Sequence, residues 1–400
     1  MRLAWYSPLP PMASGIADYS FELLPLLAER EHVDVFCPSP RLVRRLKPPP
    51  GLRVVDPGRS NAQPESYDAV FYHLGNNPAH KWVYEAALAR PGITVFHDFV
   101  LHHLIAYMMV EERLDADRYR RVLAEEYGES GLRLAELRLQ GTATDFEKFV
   151  FPANTTMARR SRAIVVHSED SAERMREIAP DVPVWVIPHH AGTPPREVRA
   201  IGRAAARATL GLPREAFLVG HFGYITRPKQ PAAVLGGFAR LAAAHPNARL
   251  VMIGADKTGG GMQLSVRKLG LVGKVILAGY VDLARFYLYL KAVDAVINLR
   301  YPSAGESSGT FARALAEGRP AIVNNLGSFA EVPQDVALKV EIDGDQAEQV
   351  GAHLLRLAED PAFRARVEER ARSYAASVLD PVRCRDLYLE VARQVSLSNA

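Results

Sequence analysis

Cysteine is scarce in this chain: its 400 residues include two cysteines, Cys37 and Cys384, which lie far apart in the sequence. Small secreted domains that depend on disulfides, and metal clusters that thiolates hold, need several cysteines at short spacings. We therefore expect neither a disulfide framework nor a cysteine-based metal centre. The scarcity of cysteine also indicates a reducing compartment.

Long apolar runs are missing as well. No stretch reaches the roughly 18 consecutive apolar residues of a membrane-spanning helix. The opening segment, MRLAWYSPLPP, is typical of a strand followed by prolines and not of a signal peptide. We therefore expect a cytoplasmic protein. A basic cluster of Arg41, Arg44, Arg45 and Lys47 could bring it to anionic lipids at the inner face of the membrane, although a solvated charged surface is the simpler interpretation.

Neither sign of charge dominates the composition. Lys and Arg total 49 and Asp and Glu total 45, so the formal net charge is +4. This small excess is weak evidence for an anionic ligand or surface, and we expect no nucleic acid partner.

The length and the repeating pattern predict the architecture. A chain of 400 residues is too long for one core, so two domains are expected. Apolar runs alternate with helical patterns, and the alternation restarts after a looser stretch near residues 193–207. This predicts an α/β fold of two doubly wound, Rossmann-like domains, residues 1–195 and 196–380. The break at Asp380–Pro381 predicts a last helix, in residues 381–400, that crosses back onto the first domain.

Two helical segments are also predicted in the first half of the chain. Residues 111–139 are rich in interleaved charges and are typical of a helical insertion in the first domain. The sequence of residues 149–160 also predicts a helix.

The most informative stretch is residues 301–320, YPSAGESSGTFARALAEGRP. It follows an apolar run typical of a buried strand, opens with a loop of small residues and continues into a helix that ends near Gly318. The backbone N–H groups of Ser307 to Thr310 lie in the first turn, where they lack helical partners and the helix dipole is positive. That geometry binds phosphate, whereas Glu306 suits hydroxyl groups. A ligand with both groups is a nucleotide sugar.

Two cations follow another predicted strand, residues 216–223. The loop after this strand carries Arg227 and Lys229 and leads into a helix. Ligands of doubly wound sheets bind at such loops, and a guanidinium with an ammonium suits a diphosphate. Solvated loop cations are the alternative. Gly254 and Gly279, which end two further strands, are expected to line the same cleft.

Two loops of the first half carry candidate residues. Gly15 follows the first strand, and we expect its backbone to lie near a substrate, an ordinary βα turn being the alternative. His97 ends another strand and could hydrogen-bond a sugar hydroxyl or share a developing charge. Asp98 is expected to cap the next helix. By residue type, His97 with His102 and His103 could hold a metal, but no ligand spacing supports this and we expect no metal site.

Taken together, these motifs resemble the GT-B glycosyltransferases, and within them the large retaining group called family 4. The resemblance covers nearly the whole chain and is strongest from Val219 to Glu331. The segments that carry it are FGYITRPKQ, MIGAD, LAGYVD, AVDAVINLRYPSAGESSG, RALAEGRPAIV and GSFAEVP, with VIPHHAG and the pair His97–Asp98 in the first half. The resemblance implies two Rossmann-like domains that face each other across a cleft.

The resemblance also implies a reaction. A sugar, expected to be a hexose, moves from a UDP- or GDP-linked donor to an acceptor hydroxyl with retention at the anomeric carbon. The acceptor is expected to be a saccharide or a lipid-linked saccharide in bacterial polysaccharide or glycolipid biosynthesis. No cofactor is required, because Lys229 and Arg227 neutralise the departing diphosphate.

Roles for individual residues follow from the same resemblance. Glu306 binds hydroxyls of the donor sugar, and His97 contacts that sugar from the first domain. The further donor-binding positions are Gly15, Gly223, Tyr224, Gly254, Gly279, Tyr280, Val281, Ser307, Ser308, Gly309, Thr310 and Arg313.

The sequence departs from the family pattern at two of these positions. Tyr224 stands where the family has an arginine, so Arg227 is expected to supply the charge. Arg313 stands where the family has a second glutamate that contacts the nucleotide ribose, and Glu317 is a candidate replacement. These departures motivate an alternative, a non-catalytic subunit that binds a nucleotide sugar for a partner transferase. A nucleotide-sugar epimerase of the same fold is a third interpretation.

Overall fold

The computed structural model describes residues 1–12, 14–38, 51–58, 66–112 and 114–397. The chain divides into two compact units. Unit 1 comprises Met1–His190, Ala304–Ser307 and Pro381–Ala400, and unit 2 comprises Ala191–Ser303 and Ser308–Asp380. The predicted basic cluster, residues 41–47, lies outside the described residues.

Unit 1 is built on a parallel sheet. Over the described residues this sheet has seven strands in the order β3-β2-β1-β4-β5-β6-β7. The strands are β1 (Arg2–Tyr6), β2 (His32–Phe36), β3 (Leu52–Val55), β4 (Ala69–Leu74), β5 (Ile93–Phe96), β6 (Ala163–Val166) and β7 (Val184–Val186). The helices are α1 (Gly15–Ala28), α2 (Lys81–Ala89), α3 (His102–Ala106), α4 (Ala116–Leu139), α5 (Glu147–Val150), α6 (Thr155–Arg160) and α7 (Glu169–Ile178).

Unit 2 repeats this plan. Its described residues form a six-stranded parallel sheet in the order β10-β9-β8-β11-β12-β13. The strands are β8 (Leu218–Phe222), β9 (Arg249–Ile253), β10 (Val275–Gly279), β11 (Ala295–Ile297), β12 (Ala321–Asn324) and β13 (Ala337–Val340). The helices are α8 (Arg196–Arg199), α9 (Arg203–Leu210), α10 (Pro231–Ala244), α11 (Gly261–Lys268), α12 (Leu283–Ala292), α13 (Gly309–Ala316), α14 (Gln346–Glu359) and α15 (Pro361–Val378).

The predicted doubly wound α/β fold is confirmed in both units. In unit 2, helices cover both faces of the sheet: Phe238 and Val350 pack on one face, and Tyr287 and Leu290 pack on the other. The strand order reverses between β8 and β11, which are neighbours in space although two strands separate them along the chain. Such a reversal opens a crevice at the carboxyl ends of the strands, where ligands of this fold bind.

The last helix, α16 (Pro381–Leu397), packs within unit 1, as the sequence predicts. Tyr388 of α16 is fully buried, and its ring centroid lies 5.2 Å from that of Trp5 in β1. The Tyr19 hydroxyl of α1 donates to the Tyr388 hydroxyl at 2.9 Å. Burial of these aromatic rings, together with Leu389 and Val391 of α16, holds the helix against the sheet.

The prediction of one helix over residues 149–160 is wrong. The chain forms α5 and α6 with a non-helical break over residues 151–154. Pro152 causes the break, because a proline disfavours helical geometry in the residue before it and lacks an N–H group. Ala153 then takes a positive φ of 53°. No described helix is both long and apolar enough to span a membrane.

Candidate functional site

Lys229 lies at the carboxyl end of β8 in unit 2. The strand ends at Phe222, Gly223 turns the chain with φ +86°, and a short 3-10 turn, Arg227–Lys229, leads into α10. The side chain of Lys229 folds back so that Nζ donates to the Phe222 carbonyl oxygen at 2.9 Å. The residue is 9% exposed. Its ammonium group is therefore held in one place at the edge of the sheet.

The start of α13 lies after β11, the neighbour of β8. Ser308 is the N-cap residue, and its Oγ accepts a hydrogen bond from Phe311 N at 3.3 Å. The helix begins at Gly309, so Gly309 and Thr310 supply N–H groups of the first turn. This cap leaves the positive end of the helix dipole at the carboxyl edge of the sheet.

Three glycine-containing loops of unit 2 meet at this edge. Gly254 N donates to Gly279 O at 2.7 Å. A β-carbon on Gly254 would lie 2.2 Å from Gly223 O, so the loops after β8 and β9 touch through their backbones.

Tyr280, next to Gly279, is 65% exposed, and half-buried Val281 follows it. The exposed ring of Tyr224 lies 5.7 Å from Lys257 Nζ.

Arg227 occupies a different position from Lys229. Its side chain is exposed, and it lines a surface groove together with residues 230–233 and 344–347. The structure thus gives the two predicted cations of this loop different environments, one held at the strand end and one in water.

Arg313 is in α13, and Glu317 directly follows the last residue of that helix. Arg313 is buried within the helix. Glu317 is at the opposite end of the helix from Ser308, and its Oε2 accepts from Lys291 Nζ at 3.0 Å. The suggestion that Glu317 replaces a ribose-binding glutamate is therefore wrong, since an eight-residue helix separates it from the carboxyl edge.

Three polar residues near the carboxyl edge of unit 2 were not among the predicted site residues. The guanidinium of Arg300, two residues after Asn298 in the loop that follows β11, has Nη2 3.5 Å from Ser308 Oγ. Asn298 is buried, and Ser308 Oγ donates to its Oδ1 at 3.4 Å. Burial lowers the pKa of His221 in β8 to about 3, with a further contribution from the cations of Lys229 and Arg300. His221 is therefore neutral at physiological pH.

In unit 1, histidines follow one another along the carboxyl ends of neighbouring strands. His73 is in β4, His97 follows β5 and His167 follows β6. His73 Nδ1 lies 2.9 Å from His97 Nε2, and His97 Nδ1 lies 3.0 Å from His167 Nε2. His167 Nδ1 lies 2.7 Å from the Ile187 carbonyl oxygen. We call His73, His97 and His167 the histidine chain.

One carbonyl group determines the tautomers of the histidine chain. The Ile187 carbonyl can only accept, so His167 carries its hydrogen on Nδ1. Burial, together with neighbouring histidines, holds the pKa of His97 and of His73 well below the usual range, and burial lowers the pKa of His167 to about 4. The rings are therefore neutral, and each Nδ1–H donates to the Nε2 of the next ring. His73 Nε2, at the end, is buried and has no partner among the described residues.

His97 was expected to present its ring to a sugar. It is 5% exposed, and both of its nitrogens are hydrogen-bonded to other histidines. Tyr19 of α1 packs on it with ring centroids 4.9 Å apart. Gly15 is the first residue of the same helix, and a β-carbon there would meet nothing within 4 Å.

Asp98 does not cap a helix, contrary to the prediction. Its Oδ2 accepts a hydrogen bond from Asn76 N at 2.7 Å, and α3 starts later, at His102. His102 binds the Phe151 carbonyl and the Tyr119 hydroxyl, each at 2.6 Å. Within the described ranges, no group of three or more His, Cys, Asp or Glu side chains is arranged to hold a metal ion.

Glu306 and Ser307 belong to the short stretch, residues 304–307, that groups with unit 1. Glu306 Oε2 accepts from Ala304 N at 2.7 Å, and Val100 N donates to Ala304 O at 2.9 Å. Gly305 is required here, because it has φ +71° and its β-carbon would lie 2.4 Å from Phe99 Cβ. The loop thus positions the Glu306 carboxylate through backbone contacts.

The second half of the chain matches a known family model. Residues 202–374 match the model described as Glycosyl transferases group 1. A D-inositol 3-phosphate glycosyltransferase of Nocardiopsis dassonvillei is 27% identical over 235 residues, which are 56% of this chain and 53% of that protein. The chain therefore spans about half the length of the curated relatives that it matches.

Solved structures of similar fold cover nearly all of the chain. Sucrose-phosphate synthase from Thermosynechococcus elongatus superposes with a TM-score of 0.67 at 15% identity, with 100% of both chains covered. HepE of Anabaena, in complex with UDP-glucose, superposes with a TM-score of 0.66 at 15% identity, covering 98% of this chain and 100% of that one. These similarities establish the GT-B type of fold, two Rossmann-like units.

Proposed function

We propose that this chain is a retaining glycosyltransferase that moves a hexose from a UDP- or GDP-linked donor to a hydroxyl group of an acceptor. The observation that carries the proposal is the carboxyl edge of the unit 2 sheet, where the ammonium of Lys229 is held at the end of β8 and α13 begins after β11. The match of residues 202–374 to the glycosyl transferases group 1 model supports it.

In the proposed reaction, negative charge grows on the leaving nucleoside diphosphate as its bond to the anomeric carbon breaks. The ammonium of Lys229 and the N–H groups of Gly309 and Thr310 stabilise this charge. They need little reorganisation, because the Phe222 carbonyl holds the ammonium and Ser308 caps the helix. The acceptor oxygen attacks from the face that the leaving group departs from. Because attack and departure use the same face of the sugar, the configuration is retained without a protein nucleophile. The leaving phosphate takes the proton of the acceptor hydroxyl.

The other predicted residues have supporting roles in this proposal. Glu306 binds donor-sugar hydroxyls, and Arg227 attracts the anionic donor from its exposed position. The backbone of residues 279–281 binds the base. The resemblance also gives His97 a contact with the donor sugar, and both of its ring nitrogens bind other histidines.

The acceptor in this proposal is a saccharide or a lipid-linked saccharide of bacterial polysaccharide or glycolipid biosynthesis. The name of one group of similar proteins, D-inositol 3-phosphate glycosyltransferase, supports a hydroxylated acceptor as a class. The proposed place of action is the cytoplasm, at the inner face of the membrane where the acceptor is lipid-linked.

Melting temperatures with UDP, GDP, ADP and dTDP test the donor site. A ligand at about 100 times its Kd stabilises the folded state by about 2.7 kcal/mol, so we expect one of these nucleotides to raise Tm by several degrees. The shift should disappear in Lys229→Ala and persist in Lys268→Ala, which removes an exposed lysine at the end of α11. No shift with any nucleotide, or an equal shift in both variants, would overturn the assignment.

One observation favours a second candidate, a non-catalytic subunit that binds a nucleotide sugar. Arg313 is buried where the family carries a glutamate, and an arginine cannot accept hydrogen bonds from a ribose. A binding subunit would show the same nucleotide shift but no turnover.

A further inference from the structure

Two cations flank the point where the strand order of unit 2 reverses. β8 pairs directly with β11, with His221 opposite Ile297. Lys229 comes from the loop after β8, and Arg300 comes from the loop after β11. Carboxyl-end loops on either side of such a reversal line the ligand crevice of a doubly wound sheet. Arg300 is therefore at the position where this fold binds its ligand.

Backbone hydrogen bonds hold Arg300 in place. Its N–H group donates to Oδ1 of Asn324, a fully buried residue of β12, at 2.6 Å. The next residue, Tyr301, donates its N–H to the Pro228 carbonyl oxygen at 2.7 Å, which ties this loop to the loop that carries Lys229. The start of the Arg300 side chain is thus fixed relative to Lys229.

The far end of the Arg300 side chain reaches the start of α13. Its Nη2 lies 3.5 Å from Oγ of Ser308, the residue that caps this helix. The guanidinium is therefore beside the first-turn N–H groups, at the positive end of the helix dipole. A cation placed at this end is unfavourable by itself, so the arrangement suits an anion that binds both groups.

A buried amide points to the same place. Asn298 is 3% exposed, and its Oδ1 accepts from Ser308 Oγ. Its Nδ2 has no hydrogen-bond partner among the described residues. A buried donor without an acceptor costs free energy, and a phosphate oxygen next to the helix start would satisfy it.

We propose that Arg300, with Lys229 and the amide of Asn298, binds the diphosphate of the donor directly and so replaces the arginine that the family carries at position 224. This inference rests on the proposed function and deepens it. A guanidinium binds two phosphate oxygens at once through its planar fork, whereas Lys229 acts as a point charge. Arg227 remains exposed, where water and salt screen its contribution.

The inference is tested by comparing how tightly matched variants bind UDP and uridine, with calorimetry and ligand-observed NMR as the measurements. If GDP is the nucleotide that shifts Tm, GDP and guanosine replace UDP and uridine. Arg300→Gln removes the charge, and Arg300→Lys keeps the charge without the planar guanidinium. Arg227→Gln removes the other arginine that could bind the diphosphate. Arg267→Gln, an exposed arginine of α11, is the control for loss of a surface charge. Melting temperatures without ligand identify any variant that does not fold.

We expect Arg300→Gln to weaken nucleoside diphosphate binding about 10- to 100-fold, the range of a charge-assisted hydrogen bond, and to leave nucleoside binding unchanged. Arg300→Lys should recover part of the loss, and Arg227→Gln and Arg267→Gln should change the affinity less than about threefold. If Arg227→Gln weakens binding and Arg300→Gln does not, this inference is overturned and the proposed function stands. If the unaltered protein binds no nucleotide, both fall.

Discussion

Gly223 and Lys229 depend on the same small space: a β-carbon on Gly223 would lie 2.2 Å from Lys229 Nζ. Gly223 also has φ +86°, which other residues rarely adopt. The glycine therefore leaves room for the ammonium group that we place against the donor phosphate.

Gly223→Ala should displace that ammonium and weaken nucleoside diphosphate binding about tenfold or more, because the cation loses its contact geometry. Gly259→Ala is the matched control, since Gly259 has φ +73° but open space around its β-carbon. Both substitutions should lower stability by about 1–2 kcal/mol through backbone strain. Calorimetry with UDP separates the two effects, and equal affinities of the two variants would contradict the steric argument.

The histidine chain should show a single pattern of tautomers. His73, His97 and His167 should all be neutral at pH 7 with the hydrogen on Nδ1, because the Ile187 carbonyl accepts from the last ring. Long-range nitrogen–proton NMR correlations in protein labelled with nitrogen-15 report the tautomer directly. An Nε2–H tautomer for His97 would show that the hydrogen bonds run in another direction.

The same histidines should make unit 1 sensitive to acid. The pKa of each is depressed in the folded state, well below the usual range for His73 and His97 and to about 4 for His167. In the unfolded chain the histidine pKa values are near 6.5, so below about pH 6.5 the unfolded chain binds more protons than the folded protein does. The free energy of unfolding is therefore highest above about pH 6.5 and falls as the pH drops below that value.

The histidine chain alone should lower the free energy of unfolding by about 4 kcal/mol between pH 7.5 and pH 5.5. His80, His102 and His103 of unit 1, whose pKa values burial lowers to about 4, 3 and 4, should add to this fall. Urea unfolding of unit 1, followed by Trp5 and the other tryptophans, measures the change. A free energy that stays constant over this range would contradict buried, neutral histidines.

Asp294 should matter for folding and not for the ligand. It lies before β11, at the edge of the sheet opposite to Lys229, and its carboxylate accepts from Arg207 at 2.6 Å, Arg203 at 3.0 Å and Leu218 N at 2.8 Å. Arg207 is buried, so Asp294→Ala leaves an uncompensated cation and should cost about 3–5 kcal/mol.

The control for that change is Asp335→Ala, which removes an exposed carboxylate paired with Arg370 and should cost less than about 1 kcal/mol. Denaturant unfolding measures both. In protein that is still folded, UDP affinity should be the same as in the unaltered chain, and a selective loss of affinity would place Asp294 in the ligand site.

The sequence predicts the sheets well where strands are apolar and central. β8 (Leu218–Phe222) is within a few residues of its predicted bounds, residues 216–223, because a fully buried strand leaves a continuous apolar run. β3 and β13 have no such run and were not predicted: each has four residues at a sheet edge, and Arg53 and Lys339 interrupt them. Short edge strands form because a neighbour offers hydrogen bonds, which a local pattern does not report.

The candidate site was predictable in part. Lys229 and the start of α13 could be predicted as candidates because loops and helix starts have local signatures. His73 and His167 were missed, although each ends an apolar run as His97 does, because their role depends on which strands become neighbours. Asp98 was misassigned for the same reason, since its partner is Asn76 and not the next helix. Arg300 has no motif of its own, and only the fold brings it to Ser308.

Incubation of the protein with UDP- and GDP-hexoses in water, with mass spectrometry of the products, tests the central claim most directly. A transferase hydrolyses its donor slowly when no acceptor is present, so we predict release of one nucleoside diphosphate, with the freed sugar initially in the α-configuration of the donor by proton NMR. Lys229→Ala should abolish the release without loss of the folded state. Release of an inverted sugar would contradict retention, formation of a new nucleotide sugar would show an epimerase, and binding without any release would show a binding subunit.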